Sequence, residues 1–292
     1  MPQSQKKLPS VKVHPDTSYL GIHLTNRCFL SCSYCITNYN EQYINVKTFK
    51  ELKPYEWIEA LNRLDLPAGI PLTFQGGEPF IYNGIWEILE NVRHKVDIIT
   101  ALPHQVTLER FKQLKTLAWN QRDTPYPTIR VSFHKGQNDY KQLITRIKEL
   151  QQILSIGLFT VNHPDYPEVI KEVRTFAQEH GVEFRSKVLL REYEGKVSTD
   201  YKYSDACSGK PIREKVLCKN YVFPIGPDGT IYRCHSYLYA RRREEINLMD
   251  LNLKLEHGYR ECSYYGTCIP CDVKIKSNQL QPVDILFLDE KT

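Results

Sequence analysis

Thr25-Asn26-Arg27-Cys28-Phe29-Leu30-Ser31-Cys32-Ser33-Tyr34-Cys35 places three cysteines within eight residues, directly after the strand-like run Leu20 to Leu24. Three thiolates at these spacings can converge on one inorganic centre and leave a coordination position unfilled. An open position makes a metal centre reactive as well as structural. Zinc completed by a distant ligand satisfies the same spacing, so the cysteines alone leave iron–sulfur and zinc both open.

Outward from this loop, short apolar runs alternate with longer helical patterns as far as about residue 190. The expected strands are Leu20 to Leu24, Leu72 to Gln75, Val96 to Thr100, Thr128 to His134, Leu154 to Val161 and Val182 to Leu190. Helices are expected at Pro54 to Leu64, Gly84 to Arg93, Thr107 to Leu117, Asp139 to Gln152 and Pro167 to His180. Pro54 and Pro167 suit first-turn positions and Gly181 a C-terminal stop. Six βα units define an α/β fold, a partial (β/α)6 TIM barrel. Chemistry in such barrels sits at the C-terminal ends of the strands, which puts the cysteine loop on the functional face.

Beyond residue 195, cysteines, tyrosines and turn signals such as Pro227-Asp228-Gly229 replace the alternation, and a small cysteine-rich C-terminal domain is expected. The chain therefore divides into an extension at 1–14, a barrel at 15–195, a cysteine-rich domain at 196–275 and a tail at 276–292. Its 292 residues, 41% hydrophobic and 25% charged, are an ordinary globular balance. The polar stretch Met1 to Val13 has no apolar signal region, and no run is long enough to span a bilayer, so a cytoplasmic protein with no membrane partner is expected. In that compartment nine cysteines read as metal ligands or reactive thiols. The net charge of +5 is too small to argue for nucleic acid, and the basic run Arg241-Arg242-Arg243 is offset at once by Glu244-Glu245.

Phe74-Gln75-Gly76-Gly77-Glu78-Pro79 follows the second strand. Paired glycines let backbone groups approach a ligand closely, and the carboxylate of Glu78 could receive an ammonium group. A plain tight turn is the better explanation of an isolated Gly-Gly. Taken with Cys28-x3-Cys32-x2-Cys35, however, the stretch closely resembles the radical S-adenosylmethionine (radical SAM) superfamily, whose cysteine loop and GGEP motif occur in this order. The resemblance implies that Cys28, Cys32 and Cys35 hold a [4Fe–4S] cluster whose fourth iron binds S-adenosylmethionine. It implies further that Tyr34 lies near the adenine and that Gly76, Gly77 and Glu78 position the methionyl amine. Ser132, at the end of the fourth strand, stands where a ribose contact is expected, although ordinary loop polarity accounts for Ser132 and His134 as well. A small-molecule or peptide substrate and an electron donor such as flavodoxin or ferredoxin are the implied partners.

The C-terminal spacing Cys218-x10-Gly229-x4-Cys234, followed by Cys268-x2-Cys271, resembles the twitch domain, a shortened relative of the SPASM domain. In that pattern the four cysteines hold a second, auxiliary [4Fe–4S] cluster, while four thiolates remain a good tetrahedral zinc site too. Gly229 suits the turn of a hairpin whose return, Ile231-Tyr232-Arg233, delivers Cys234. Cys207 and Cys262 are left over. Either is an unused buried thiol or a hydrogen-atom donor to a substrate radical, with Cys262 favoured for alternate ligation and Cys207 for the donor role. Arg185, Lys187 and Arg191 could face the barrel mouth, as anion contacts or as a base if desolvated.

Three outcomes remain open at this point: epimerisation of a sugar, cyclitol or peptide carbon, two-electron oxidation or cross-linking with the auxiliary cluster as acceptor, and a zinc-stabilised binding module without catalysis. The few polar residues before the first strand are too short for a leader-peptide recognition domain. That expectation favours a small metabolite, or a peptide presented by a separate partner.

Overall fold

The computed structural model describes residues 7–35, 50–189, 192–193, 196–197, 215–239, 244, 246–263, 265 and 284–288. Cys207, Cys268, Cys271, Arg191 and the run Arg241-Arg242-Arg243 lie outside them. In chain order the elements are β1 (Val11–Lys12), β2 (Tyr19–His23), α1 (Pro54–Asn62), β3 (Leu64–Asp65), β4 (Leu72–Gln75), α2 (Ile85–Asn91) and β5 (Val96–Thr100). Next come α3 (Leu108–Lys112), β6 (Ile129–Phe133), α4 (Tyr140–Leu150), β7 (Ile156–Asn162), α5 (Pro167–Glu179) and β8 (Phe184–Val188). The short pair β9 (Glu192–Tyr193) and β10 (Lys196–Val197) follows, then β11 (Val216–Lys219), β12 (Val222–Ile225), α6 (His235–Tyr239), β13 (Arg260–Cys262) and β14 (Asp284–Phe287).

Seven strands form one parallel sheet in the order β12-β2-β4-β5-β6-β7-β8. The α/β class and the partial barrel follow from this order. All residues of β2 and β4 are buried, the polar Thr73, Gln75 and His23 included, as expected where a parallel strand is covered on both faces. The helices are held by their ends and their stripes. In α4, the Asp139 carboxylate accepts hydrogen bonds from the amides of Lys141 and Gln142, and Leu143, Ile144, Ile147 and Leu150 turn to the core. Helix α5 starts on Pro167, buries Ile170, Val173 and Ala177, and stops at Gly181, whose φ of +67° is a conformation that favours glycine. The expected α3 is shorter than its apolar pattern suggested, ending at Lys112.

The segment after residue 215 shares the barrel's core. Strand β12 pairs in parallel with β2, with Val222 opposite Tyr19, and Ile225, Ile231, Leu248, Leu253 and Leu255 belong to the same hydrophobic cluster as the barrel. The Gly229 hairpin forms as expected: Gly229 has φ +84°, Ile225 bridges Ile231 antiparallel, and Cys234 follows at the start of α6. A three-stranded antiparallel sheet, β13-β11-β14, stands beside it. The N-terminal extension is not a loose tail either. Val11 and Val13 are buried, and β1 pairs with β3. Buried Arg63, which follows α1, donates to the carbonyls of Pro9, Leu248 and Asp250, joining N-terminal, barrel and C-terminal chain at one guanidinium. No helix among the described residues is long and apolar enough to cross a membrane.

Candidate active site

Parallel strands carry their following loops to one edge of the sheet, and here that edge surrounds a cavity of about 240 Å³. Cys28, Cys32 and Cys35 line it from the loop after β2, and Gly76, Gly77 and Glu78 from the turn after β4. Tyr34, Ser132, His134 and Lys187 complete the barrel's share of the wall. The residues singled out in the two barrel motifs therefore meet at one place.

The cysteine loop is held by backbone as much as by side chains. Gly77 N donates to Thr25 O at 3.1 Å and Glu78 N to Arg27 O at 2.8 Å, so the β4 turn and the loop run edge to edge. Both glycines are required by that approach. A Cβ on Gly77 would lie 2.0 Å from Arg27 O, and Gly76 has φ +116° with Thr25 O 2.8 Å from where its Cβ would stand. From the other side, Glu51 receives the Thr25 hydroxyl at 2.5 Å and the Arg27 guanidinium at 3.1 Å through both carboxylate oxygens. Ser31 N donates to Gln137 beyond β6.

Glu78 is 1% exposed, and its carboxylate is already engaged. Oε1 accepts from Thr100 Oγ1 at 2.7 Å and Phe80 N at 3.0 Å, and Oε2 accepts from Ala101 N at 2.6 Å. Burial raises its pKa to about 7 against the pull of these donors. Of about four acceptor positions on a carboxylate, three are taken, which leaves one for an incoming cationic donor. Thr100, at the end of β5, had no signal in the sequence beyond its place at a strand terminus.

Tyr34 is clamped between strand ends: its hydroxyl lies 2.9 Å from His134 Nδ1, and its ring packs against His134 and His163. Burial, with the Lys187 ammonium adding to it, lowers the His134 pKa to about 4 and keeps the ring neutral. Of the three basic residues expected at the mouth, Lys187 faces the cavity, whereas Arg185 pairs with Glu183 at 2.6 Å and donates to Pro125 O. His23, at the end of β2, sits behind Gly76. Its Nδ1 is 3.2 Å from Asn26 Oδ1 and its buried Nε2 has no partner, which fits a neutral ring protonated at Nδ1. Burial depresses its pKa from 6.5 to about 4. A depressed histidine pKa supports the fold fully above 6.5 and loses that support as pH falls toward 4, at about 1.4 kcal/mol per pH unit. His23→Gln should accordingly flatten the acid side of a denaturant-stability profile between pH 6.5 and pH 4. An unchanged slope would show that His23 does not carry it.

Two wall residues come from outside the barrel. His235 and Tyr239 of α6 line the cavity, and His235 Nε2 lies 3.1 Å from Gln75 Nε2, whose Oε1 accepts the Tyr19 hydroxyl at 2.8 Å. The only available hint in the sequence was that His235 follows Cys234.

The thiols fit a cluster site by chemistry. Burial, reinforced by the neighbouring thiols, raises the Cys32 pKa to about 12 and that of Cys28 in the same direction, so the charge of a bound metal is what makes them thiolates. Among the described residues no three histidine, cysteine, aspartate or glutamate side chains are set as ligands of one metal ion, so the thiols' arrangement does not itself select the metal.

No family model matches the chain. Over 151 residues it is 26% identical to the GTP 3′,8-cyclase of Geobacter sulfurreducens, covering 51% of this chain and 44% of that protein. Over 140 residues it is 26% identical to the GTP 3′,8-cyclase of Alkaliphilus metalliredigens, covering 47% and 41% respectively. The chain thus spans less than half the length of the curated relatives it matches. Among solved structures, Streptococcus suis SuiB bound to the precursor peptide SuiA superposes with a TM-score of 0.52 over 84% of this chain and 64% of SuiB. At 15% identity that likeness shows the fold.

The fold and the loop define the class: a parallel α/β barrel with three cysteines on the first loop of its C-terminal edge. With the Gly76-Gly77-Glu78 turn set against that loop, the chain carries the two motifs by which it resembles the radical SAM superfamily. The cofactors that this likeness brings are a [4Fe–4S] cluster and S-adenosylmethionine, and the donor set of the cavity fits them.

Proposed function

We propose that the chain is an enzyme that reductively cleaves S-adenosylmethionine and abstracts a hydrogen atom from an organic substrate. The observation that supports this most directly is the convergence of Cys28, Cys32, Cys35, Glu78, Tyr34 and Ser132 on one cavity. Cys28, Cys32 and Cys35 would hold the cluster, which would supply the electron for reductive cleavage of S-adenosylmethionine to a 5′-deoxyadenosyl radical. The chain's own residues orient the reaction. The remaining acceptor position on Glu78 takes the methionyl amine, the Tyr34 ring, fixed by His134, flanks the adenine, and the Ser132 hydroxyl reaches the ribose.

For the fate of the substrate radical, two-electron oxidation or cross-linking is favoured over epimerisation. His235 lines the cavity one residue after Cys234, so a metal centre at Cys234 would lie next to the cavity wall and could supply an electron acceptor there. In that step the radical carbon would pass one electron to the acceptor while the neighbouring atom loses a proton, completing the two-electron oxidation. The substrate is a small metabolite or a peptide. The SuiB structure holds a precursor peptide, and this supports testing peptides first. Flavodoxin or ferredoxin is the electron donor in this reading.

The test is anaerobic. Reconstituted protein with dithionite and S-adenosylmethionine should release 5′-deoxyadenosine and methionine one to one, and no release would overturn the proposal. With substrate in D2O, oxidation gives a product lighter by two hydrogens that carries no solvent deuterium. An isomer with one deuterium would establish epimerisation instead.

A further inference from the structure

In the twitch-like pattern Cys218, Cys234, Cys268 and Cys271 form one ligand set, and Cys262 stands outside it. Among the described residues, the folded chain brings Cys262 to two members of that set. Cys218, Cys234 and Cys262 line one small cavity, apart from the one that holds Cys28, Cys32 and Cys35.

Three separate contacts bring them there, each made by the residue that precedes a cysteine. Leu217 pairs with Glu261 across the β11–β13 ladder, which sets Val216 opposite Cys262 and Cys218 opposite Arg260. In an antiparallel pair, opposed residues share a face, as do residues two apart on one strand, so Cys218 and Cys262 lie on the same face as diagonal neighbours. The third cysteine is tied in by its own predecessor: Arg233 donates from Nη1 to Glu261 O at 2.8 Å, and its Nε is held by Glu244 at 3.1 Å. Asn220 Nδ2, two residues after Cys218, donates to Arg233 O.

The surroundings suit thiolates. Arg233 and Arg260 line the cavity, and guanidinium groups stabilise the negative charge that bound thiolates carry. Glu256 adds a carboxylate, and His257 lines the cavity with its Nε2 2.8 Å from Thr17 Oγ1. Cys262 is 9% exposed, so burial rather than reactivity with solvent marks its environment.

We infer that Cys262 is a ligand of the auxiliary iron–sulfur centre, bound together with Cys218 and Cys234. The assignment rests on the proposed reading that this chain carries such a centre. It removes Cys262 from the role of hydrogen-atom donor, because a thiolate bound to iron carries no S–H bond to give.

The test reads metal rather than turnover. In a Cys28→Ala/Cys32→Ala/Cys35→Ala background, the remaining iron belongs to the auxiliary centre alone. That variant, reconstituted anaerobically, should hold about four iron and four sulfide per chain. Adding Cys262→Ser should lower the content at least severalfold, or change the low-temperature electron paramagnetic resonance signal of the reduced centre. Adding Cys262→Ala should do the same, with the circular dichroism spectrum unchanged. If the Cys262 variants keep both the iron content and the signal, Cys262 is not a ligand, while the auxiliary centre stands. If the background variant holds no iron, or zinc without sulfide, the auxiliary iron–sulfur centre itself is overturned.

Discussion

Alanine at Cys28, Cys32 or Cys35 should abolish release of 5′-deoxyadenosine, with a fall of about four iron atoms per chain in the single variants. The size of the effect follows from the geometry. The three loop cysteines are the thiols that line the main cavity among the described residues, so no neighbour there can substitute for a missing ligand. The loop reaches the cavity on its own hydrogen bonds to the β4 turn and to Glu51, none of which uses a thiol. The variants should therefore keep their circular dichroism spectrum and their fold. Wild-type rates of S-adenosylmethionine cleavage in all three would show that the cluster is held elsewhere and would overturn the site.

Gly77→Ala should be nearly as damaging to function, and more damaging to the fold. The added methyl carbon would stand 2.0 Å from Arg27 O, 2.6 Å from Arg27 C and 2.6 Å from Asn26 C. These are backbone atoms of the cysteine loop, so no rotamer change relieves the contact. Either the β4 turn or the loop must move, which breaks the Gly77 N to Thr25 O and Glu78 N to Arg27 O bonds and shifts Cys28 from its place. Forced overpacking of this kind costs about 3 kcal/mol. A denaturant titration should show that loss, and reconstitution should load less iron. Gly69→Ala provides the control: φ is +79° there but nothing lies within 4 Å of the added carbon. Its cost should be only the left-handed backbone term, about 1 kcal/mol, with iron loading untouched. Equal effects at the two positions would mean that contact with the cysteine loop is not what makes Gly77 necessary.

The barrel was legible because its signals are local. Apolar runs with Pro54, Pro167 and Gly181 at helix ends located six strands and five helices to within a few residues, since a strand or helix is specified largely by its own periodicity and caps. The cysteine loop and the glycine turn were legible for the same reason, each being a contiguous motif beside a strand. The N-terminal extension shows the opposite case. Val11 and Val13 alternate with charged or polar neighbours in a stretch too short to stand out, and only their pairing and burial beside α1 reveal them.

By itself, then, the sequence determined the α/β class, the edge of the sheet where chemistry occurs, and the residue types gathered there. Tertiary structure alone decided what those residues touch. It set Gly77 against the backbone of Arg27, satisfied two positions of the Glu78 carboxylate from β5 and the following turn, and laid β12 beside β2, some two hundred residues earlier in the chain. It brought His235 into the main cavity and Cys262 to Cys218 and Cys234. Such neighbours are chosen by packing and hydrogen bonding between segments distant in sequence, and no local spacing records which distant segment will supply the other half of a contact.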